Sequence, residues 1–243
     1  MIRAVVRATI CLPTYDERDN LEPMLRALGR VLPPGGRVLV IDDGSPDGTG
    51  AVADRLAREL PFVDVLHRPR KEGLGPAYIA GFRRALAGGA ELVLEMDCDF
   101  SHDPLDVPRL IAAAAEADLV LGSRYVAGGR VENWSLARRA ISAGGSLYAR
   151  AILGVPVRDL TGGFKCFRRE VLEAIDLDSI SSRGYAFQIE LTYRAIRAGF
   201  RVTEIPITFT ERVAGRSKMS RAIVAEAIWK VPALRLAAIR GWL

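Results

Sequence analysis

Two aspartates, Asp97 and Asp99, flank Cys98 directly after an apolar segment that predicts a buried strand, residues 91–96. Carboxylate oxygens are the ligands that hard divalent cations prefer, and two of them at positions i and i+2 can converge on one ion. Such an ion would bridge two phosphates of a nucleotide. The alternative is a loop in which an aspartate caps the following helix. An isolated Asp-x-Asp fits that alternative well, but the neighbouring motifs favour a metal site.

A second acidic turn, Ile-Asp-Asp-Gly-Ser-Pro-Asp-Gly at residues 41–48, follows another apolar segment. Asp43 could accept hydrogen bonds from a nucleobase or a ribose. Asp42 and Asp47 either take part as well or shape the turn, which carries the glycine and proline that tight turns need. A bare turn remains an equally good interpretation of this segment alone.

A third polar segment, residues 13–19, combines Pro13, Tyr15 and Glu17 ahead of a predicted helix. An aromatic ring can stack on a nucleobase, and a carboxylate can accept a hydrogen bond from a base or ribose. The alternative is a helix N-terminus enriched in acidic residues, which the helix dipole favours. Neither the Gly-x-Gly-x-x-Gly pattern nor the P-loop pattern occurs, so a dinucleotide-dependent dehydrogenase or a P-loop nucleotidase is poorly supported.

Short apolar runs alternate with amphipathic segments, which is the pattern of βαβ units in a mainly parallel sheet with helices on both faces. The carboxyl ends of parallel strands share one edge, where ligands bind in open α/β sheets. We therefore expect the three polar segments to line one crevice of a single domain, residues 1–243. Strands are predicted at residues 9–12, 37–41, 63–67, 91–96, 118–122 and 202–205. Helices are predicted at residues 20–31, 49–60, 76–87, 104–116, 136–153 and 187–198.

The net charge and the cysteines indicate which classes of protein and of binding partner fit the sequence. A formal net charge of +5 and a pI near 9.4 suit an anionic partner. Nucleic acid is not the expected one, because no zinc-finger, RNA-recognition or helix-turn-helix signature occurs. The three cysteines form no Cys-x-x-Cys pair, which argues against a zinc site and favours a reducing compartment. No signal peptide or membrane-spanning segment is predicted, and we expect a cytoplasmic protein.

Several motifs, taken in order, resemble family 2 glycosyltransferases of the GT-A fold, and within them the polyprenol (dolichol) monophosphate mannose synthases. They are Pro-Thr-Tyr-Asp-Glu-Arg-Asp-Asn-Leu at 13–21, Ile-Asp-Asp-Gly-Ser-Pro-Asp-Gly-Thr at 41–49, Gly-Leu-Gly-Pro-Ala-Tyr at 73–78 and Asp-Cys-Asp-Phe-Ser-His at 97–102. Gly-Ser-Arg-Tyr at 122–125, Asp-Leu-Thr-Gly-Gly-Phe at 159–164, Gly-Tyr-Ala-Phe-Gln at 184–188 and residues 212–218 continue the match.

The resemblance implies a role for each matching residue. Guanosine would bind at Pro13, Tyr15, Glu17, Ile41 and Asp43. The donor and a Mg²⁺ or Mn²⁺ ion would bind at Asp97, Cys98 and Asp99, with Ser101 as a further metal ligand where some relatives have glutamine. Arg124, Arg212 and Lys218 match positions that hold the donor diphosphate or the acceptor phosphate, and Arg138 and Ser217 are further candidates for the acceptor phosphate.

The implied reaction is an inverting transfer of mannose from GDP-mannose to a polyprenyl phosphate. The acceptor phosphate oxygen attacks the anomeric carbon in line, and the metal stabilises the leaving diphosphate. An ionised phosphate needs no strong general base, so His67 and His102 are expected to be structural. Two alternatives stay open: a polyprenyl-phosphate glucosyltransferase that uses UDP-glucose, and a nucleotide-sugar-binding protein without turnover.

Two amphipathic segments, residues 136–153 and 222–242, carry basic residues among apolar ones, as interfacial helices do. They would place the enzyme peripherally on the cytoplasmic face of a membrane, with or without a separate membrane-anchoring subunit. The alternative is a pair of ordinary core-facing helices with a solvated basic side. Residues 210–243 are expected to form a mobile loop, closing over the donor, and a C-terminal amphipathic helix.

Overall fold

A computed structural model of the chain describes residues 6–180, 182, 184–211 and 221–241. Its centre is a seven-stranded sheet of order β3-β2-β1-β4-β7-β5-β8. The strands are β1 (Ala8–Thr14), β2 (Arg37–Asp42), β3 (Val63–His67), β4 (Leu92–Glu95), β5 (Leu119–Ser123), β7 (Lys165–Arg168) and β8 (Val202–Pro206). A second, two-stranded sheet pairs β6 (Arg130–Val131) with β9 (Thr208–Phe209).

Helices cover both faces of the sheet and bury their apolar sides against it. They are α1 (Arg18–Gly29), α2 (Thr49–Glu59), α3 (Leu74–Ala87), α4 (Val107–Ala113), α5 (Leu136–Leu153), α6 (Arg169–Ala174), α7 (Gly184–Arg197) and α8 (Arg221–Ile239). One apolar core forms around α3, α7 and the end of α5. A second core forms around α1, α2 and α4 on the opposite side. The predicted α/β class with a mainly parallel sheet is confirmed.

Strand β7 departs from the prediction, because no strand was expected at residues 165–168. It runs antiparallel to both β4 and β5, between which it lies. The segment reads Lys-Cys-Phe-Arg, which neither alternates in polarity nor forms an apolar run, so the strand signal is weak. Lys165 is nevertheless fully buried. The charged residue at the start of β7 is therefore the reason that the sequence pattern did not predict this strand.

The predicted helix at residues 104–116 is also wrong in part. Residues Pro104–Asp106 form a 3₁₀ turn, and α4 covers only Val107–Ala113. Pro104 and Pro108 lie in the first turns of these two elements, where the missing proline N–H costs least. None of the helices in the described parts of the chain is long and apolar enough to cross a bilayer.

The strand order places the site. Strands β2 and β4 both pair in parallel with β1, so the ends of all three meet at one edge of the sheet. The strand order reverses at β1, because β2 and β3 lie on one side of it and β4 lies on the other. Crevices open at such switch points in α/β sheets. Thr14, Asp42 and Glu95 end the three strands. The polar segments predicted to converge therefore follow strands that end side by side.

Candidate functional site

A cleft of about 580 Å³ opens at this edge of the sheet. Its walls come from the loops after β1, β2 and β4, from the start of α3 and α7, and from residues near α5. Most of the residues predicted from the sequence line it together: Pro13, Tyr15, Glu17, Asp43, Asp97, Cys98, Asp99, Arg124 and Arg138. Arg212, Ser217 and Lys218 lie outside the described residues.

Asp97, Cys98 and Asp99 line the cleft. Asp99 accepts hydrogen bonds at Oδ1 from the Ser101 amide (3.1 Å) and the Ser101 hydroxyl (2.6 Å). Phe100 has a φ of 59°, a left-handed conformation that non-glycine residues seldom adopt. This tight turn brings Ser101 back onto Asp99. Ser101 is buried, and its hydroxyl donates a hydrogen bond to Asp99. Its role as a metal ligand stays a prediction.

The loop fits a divalent cation that shares its coordination with a substrate. No group of three or more His, Cys, Asp or Glu side chains in the described parts of the chain could hold a metal by itself. Mg²⁺ is commonly bound by one or two carboxylates together with substrate phosphates. Asp97 and Asp99 offer that donor set at the wall of the cleft. Such an ion would offset charge on a leaving diphosphate.

Tyr15 and Asp43 bring an aromatic ring and a carboxylate to the cleft wall. The Asp43 carboxylate forms an ion pair with Arg68. The backbone amide of Asp43 donates a hydrogen bond to the Thr14 carbonyl (3.1 Å). Burial raises the pKa of Asp43 against the lowering effect of Arg68. The Lys71 ammonium lies 3.8 Å from the centre of the Tyr15 ring. The ammonium therefore covers one face of the Tyr15 ring.

Ile41 does not line the cleft with its side chain. It is fully buried, and it packs so closely over Gly81 that a Cβ there would lie 2.4 Å from its Cδ1. Its carbonyl oxygen accepts a hydrogen bond from the Thr14 hydroxyl (3.3 Å). Any part in nucleoside binding would therefore belong to its backbone.

Asp42 and Asp47 build the turn of residues 41–48, the alternative that the sequence left open for them. Asp42 Oδ1 accepts from the hydroxyl of Ser45 (2.5 Å). Asp47 accepts from the amide of Thr49 (3.0 Å) and the amide of Arg18 (3.1 Å). These bonds tie the turn to α1 and α2, which holds the loops of β1 and β2 together.

Two arginines, Arg124 and Arg138, also line the cleft. Arg124 is buried, and its guanidinium donates two parallel hydrogen bonds to Asp159, from Nε (2.7 Å) and Nη2 (2.6 Å). Burial alone would lower the pKa of Arg124, but the Asp159 carboxylate raises it further than burial lowers it. Nη2 also donates to the Thr161 hydroxyl (2.9 Å). This fork fixes a permanent positive charge in one orientation.

Arg138 adds a second cation nearby. Its guanidinium lies 4.2 Å from the centre of the Trp134 ring and forms an ion pair with Glu211. The Trp134 and Phe209 rings are also within 6 Å of the Arg124 guanidinium carbon, at 5.7 and 5.4 Å. Aromatic faces attract cations and limit their contact with water. Arg124 and Arg138 therefore lie against the same aromatic side chain, Trp134.

His102 is buried beside the Asp97–Asp99 loop, and its expected structural role stays a prediction. Its Nδ1 accepts a hydrogen bond from the Asp97 amide (3.2 Å), and its ring stacks on Phe164 (4.8 Å between centres). Burial lowers the pKa of His102 to about 4, so the ring is neutral near pH 7. It thereby helps to hold the Asp97–Asp99 loop. His67 lies on the surface and pairs with Asp54 (2.9 Å).

An apolar groove of about 250 Å³ adjoins the cleft at Trp134 and Arg138. It runs between α5 and α8 and shares Trp134, Arg138, Thr161 and Tyr185 with the main cleft. Gly144 and Gly145 form part of its wall, and a Cβ added to either would meet no atom within 4 Å. Large apolar side chains are exposed on the same two helices: Leu136, Ile141, Leu147, Ile228, Trp229, Leu236 and Ile239.

Several wall residues were not predicted. They include Lys71, Trp134, Thr161, Gly163, Tyr185, Gln188 and Phe209. Most of them come from the second half of the chain, where the spacing of single residues gives no chemical signal. Two segments, residues 159–164 and 184–188, contain four of them and carried part of the family resemblance, which was the available clue.

A buried ion pair joins β7 to the end of β4, just before the Asp97–Asp99 loop. Lys165 Nζ is 3.9 Å from a carboxylate oxygen of Glu95, and both side chains are inaccessible to solvent. Burial raises the pKa of Glu95 to about 7, against the opposing effects of Lys165 and Gln188. Burial also lowers the pKa of Lys165 to about 8. Each charge is therefore tolerated inside the sheet because the other is present.

Removing one charge of this pair should destabilise the protein in a pH-dependent way. For Lys165→Met we expect a loss of about 3 kcal/mol at pH 7.5, because an unpaired buried carboxylate remains. The Glu95 pKa is raised in the folded state, so its stabilising contribution is complete at low pH and is lost as pH rises through about 7. The loss should therefore shrink at pH 5.5, as measured by urea unfolding.

The control is the double variant Glu95→Gln with Lys165→Met, in which no buried charge remains. It should recover most of the stability at pH 7.5. An equal loss for Lys165→Met at both pH values would show that the cost is one of packing and would contradict the electrostatic account.

Comparisons with known proteins agree with this geometry. The model of the family described as glycosyl transferase family 2 matches residues 9–176. An undecaprenyl-phosphate mannosyltransferase of Micrococcus luteus is 50% identical over 233 residues, which cover 96% of each chain. A polyprenol monophosphomannose synthase of Mycolicibacterium smegmatis is 51% identical over 234 residues, which cover 95% of this chain and 87% of that one.

Solved structures share the fold at low sequence identity. Glucosyl-3-phosphoglycerate synthase of Mycobacterium tuberculosis, in complex with Mn²⁺, UDP-glucose and phosphoglyceric acid, has a TM-score of 0.68 at 20% identity. That alignment covers 96% of this chain and 81% of the other. A mannosyltransferase of Pyrobaculum calidifontis, in complex with GDP-mannose and Mn²⁺, has a TM-score of 0.60 at 16% identity, covering 97% and 74%. The GT-A fold expected from the sequence is confirmed.

Proposed function

The chain belongs to glycosyl transferase family 2, and on that basis we propose that it transfers mannose from GDP-mannose to a polyprenyl phosphate, with Mg²⁺ or Mn²⁺. The observation that carries the proposal is the cleft itself. It brings Asp97 and Asp99 together with Tyr15 and Asp43, and it adjoins an apolar groove at Trp134 and Arg138. Two relatives that are half identical over nearly the whole chain have names that state mannosyl transfer to such lipids.

The donor would lie along the loops after β1, β2 and β4. Tyr15 and Asp43 would meet the base, and Glu17 and Pro13 would shape the same end. Asp97 and Asp99 would hold the metal, which supplies electrostatic stabilisation of the leaving diphosphate when bound. Guanosine is proposed from the match of these residues to the guanosine-binding positions of the mannose synthases.

The acceptor phosphate would lie between Arg124 and Arg138. Its attack on the anomeric carbon brings a phosphate close to a diphosphate, and fixed cations offset that repulsion. Arg124 is well suited, because Asp159 and Thr161 hold its guanidinium in place before any substrate arrives. A phosphate is already ionised near neutral pH, so the proposed reaction requires no general base. The neutral, buried His102 agrees with this view.

The lipid chain would leave through the apolar groove between α5 and α8. The groove begins at Arg138, where the phosphate would bind, and ends among exposed apolar side chains on both helices. Exposed apolar patches of this kind mark membrane or partner contacts. We propose that this face rests on the bilayer that holds the acceptor, which makes the protein peripheral to the membrane.

Filling the groove should weaken use of the lipid without affecting the donor. For Gly145→Leu we expect the KM for a long polyprenyl phosphate to rise about tenfold, because a leucine side chain would occupy space needed by the chain. The KM for GDP-mannose should not change. Ala143→Leu is the control, since it adds a similar side chain to an exposed position of the same helix outside the groove. An equal effect of both variants would contradict the assignment.

The donor is tested by supplying GDP-mannose and UDP-glucose separately with a short polyprenyl phosphate. We expect lipid-linked sugar from GDP-mannose alone. Product from UDP-glucose alone would replace the proposal with a glucosyltransferase. Binding of nucleotide with no product from either donor would indicate a nucleotide-sugar-binding protein without turnover.

A further inference from the structure

A proline lies inside α8, the helix that forms one side of the apolar groove. Pro232 has no backbone N–H, so it cannot make the helical hydrogen bond to the carbonyl oxygen four residues earlier, that of Ile228. This oxygen accepts a hydrogen bond from the Tyr148 hydroxyl instead, at 2.7 Å. Tyr148 belongs to α5, on the other side of the groove. A side chain of α5 therefore pairs with the backbone group that the proline leaves open in α8.

Helix α5 is tied to the main cleft by further hydrogen bonds. The Ser146 hydroxyl lies 3.2 Å from the Thr161 hydroxyl, which also accepts a hydrogen bond from Arg124. One turn earlier, the Ser142 hydroxyl accepts a hydrogen bond from the Tyr125 hydroxyl (2.7 Å). Because these bonds join α5 to the segments that carry Arg124 and Thr161, α5 forms a fixed wall of the groove.

The exposure of α8 changes close to the proline. Val231, Leu234 and Ala238 are buried in the core, whereas Ile228 and Trp229 are 50% and 79% exposed. A proline inside a helix removes one backbone hydrogen bond, and its ring clashes with the preceding turn, so helices bend at such positions. The hydrogen bond from Tyr148 therefore lies where the buried part of α8 meets an exposed turn.

The same turn of α8 determines the width of the groove. Ile228 and Val231 line the groove from α8, and Ile141, Gly145 and Tyr148 line it from α5. The hydrogen bond between Tyr148 and the Ile228 carbonyl joins these two walls. Movement of the first part of α8 away from α5 would widen the groove and reduce its contact with an apolar chain.

We propose that Tyr148 is a positioning residue for the lipid acceptor: its hydroxyl holds α8 against α5 at the proline and so sets the width of the groove for the polyprenyl chain. The inference rests on the proposed function, because it requires a lipid acceptor in the groove. Tyr148 acts through α8, separately from the residues proposed to bind the base, the metal and the phosphates.

The test compares the effect of Tyr148→Phe in the wild-type background and in a Pro232→Ala background. Tyr148→Phe removes the hydroxyl and keeps the ring. Pro232→Ala supplies an N–H that can pair with the Ile228 carbonyl inside α8, so the carbonyl no longer depends on Tyr148. In the wild-type background we expect the KM for a long polyprenyl phosphate to rise about tenfold, as loss of one hydrogen bond predicts, with an unchanged KM for GDP-mannose. In the Pro232→Ala background the same replacement should change the acceptor KM by less than about twofold.

Amide hydrogen exchange without substrates measures the contact independently of turnover. Exchange in residues 226–231 should be about tenfold faster in Tyr148→Phe, and Pro232→Ala should suppress this increase. Tyr193→Phe is the matched control, since it removes the hydroxyl of a buried tyrosine of α7 that has no hydrogen-bond partner in the part of the chain that the structure describes. It should keep wild-type exchange and kinetics.

An unchanged acceptor KM in Tyr148→Phe would overturn the inference, whether or not exchange becomes faster. An equal rise of the acceptor KM in both backgrounds would also overturn it, because the hydroxyl would then act on the lipid directly and not through α8. Failure of the wild type to transfer mannose would instead refute the proposed function, while hydrogen exchange would still show whether Tyr148 holds α8.

Discussion

Replacement of Asp99 by asparagine is expected to lower kcat/KM for mannosyl transfer about a thousandfold, because it removes one of the two charges proposed to hold the metal. The change is isosteric. The asparagine side-chain oxygen can still accept from the Ser101 amide and hydroxyl, as Asp99 does at 3.1 and 2.6 Å. The turn should therefore keep its shape. Calorimetry should show that binding of GDP no longer depends on Mn²⁺.

Asp103→Asn is the matched control for this variant. Asp103 belongs to the same polar segment, is exposed, and accepts a hydrogen bond from the Leu105 amide (2.9 Å) outside the cleft. Its replacement removes an equal charge and should leave transfer unchanged. If Asp99→Asn kept metal-dependent GDP binding and activity, the assignment of the metal site to this loop would be wrong.

Arg124→Lys is expected to reduce kcat about a hundredfold, although it keeps the positive charge. Lysine cannot form the two parallel bonds that Arg124 makes to Asp159 at 2.7 and 2.6 Å. Its ammonium would therefore be drawn to Asp159 and lose the fixed orientation toward the phosphates. Steady-state kinetics with saturating GDP-mannose and varied polyprenyl phosphate measures the effect.

Arg130→Lys provides the comparison, because Arg130 lies a few residues further along on the surface and pairs with Glu132 at 3.0 Å. It should behave like the wild type. Asp159→Asn should resemble Arg124→Lys, since it leaves the guanidinium intact but removes its partner. Wild-type kcat in both Arg124→Lys and Asp159→Asn would exclude a role for the oriented fork in the reaction.

The parallel part of the fold was predictable because its strands are apolar and end in polar turns. The predicted strand at residues 63–67 has the observed bounds, and those at 9–12 and 37–41 lie within β1 and β2. Convergence of the segments holding Tyr15, Asp43 and Asp97 followed from parallel strands sharing an edge. Periodicity also gave the exact bounds of α5.

The rest depended on tertiary contacts that leave little trace in the sequence. Strand β7 is short and begins with Lys165, whose burial requires Glu95 from a distant segment. The orientation of Gln188 depends on that lysine. The hydrogen bonds between Arg124 and Asp159 join residues that are 35 positions apart. Such pairings are long-range in sequence, so only the family resemblance pointed to the segments that contain Asp159 and Gln188.

The central claim is tested most directly by incubating the protein with radiolabelled GDP-mannose, a polyprenyl phosphate and Mg²⁺ or Mn²⁺, and measuring label in the lipid phase. The account predicts a mannosyl lipid that forms with the wild type, is abolished by a chelator and is absent with Asp99→Asn. Label that stays entirely in the aqueous phase with the wild type and metal, while GDP still binds, would contradict it.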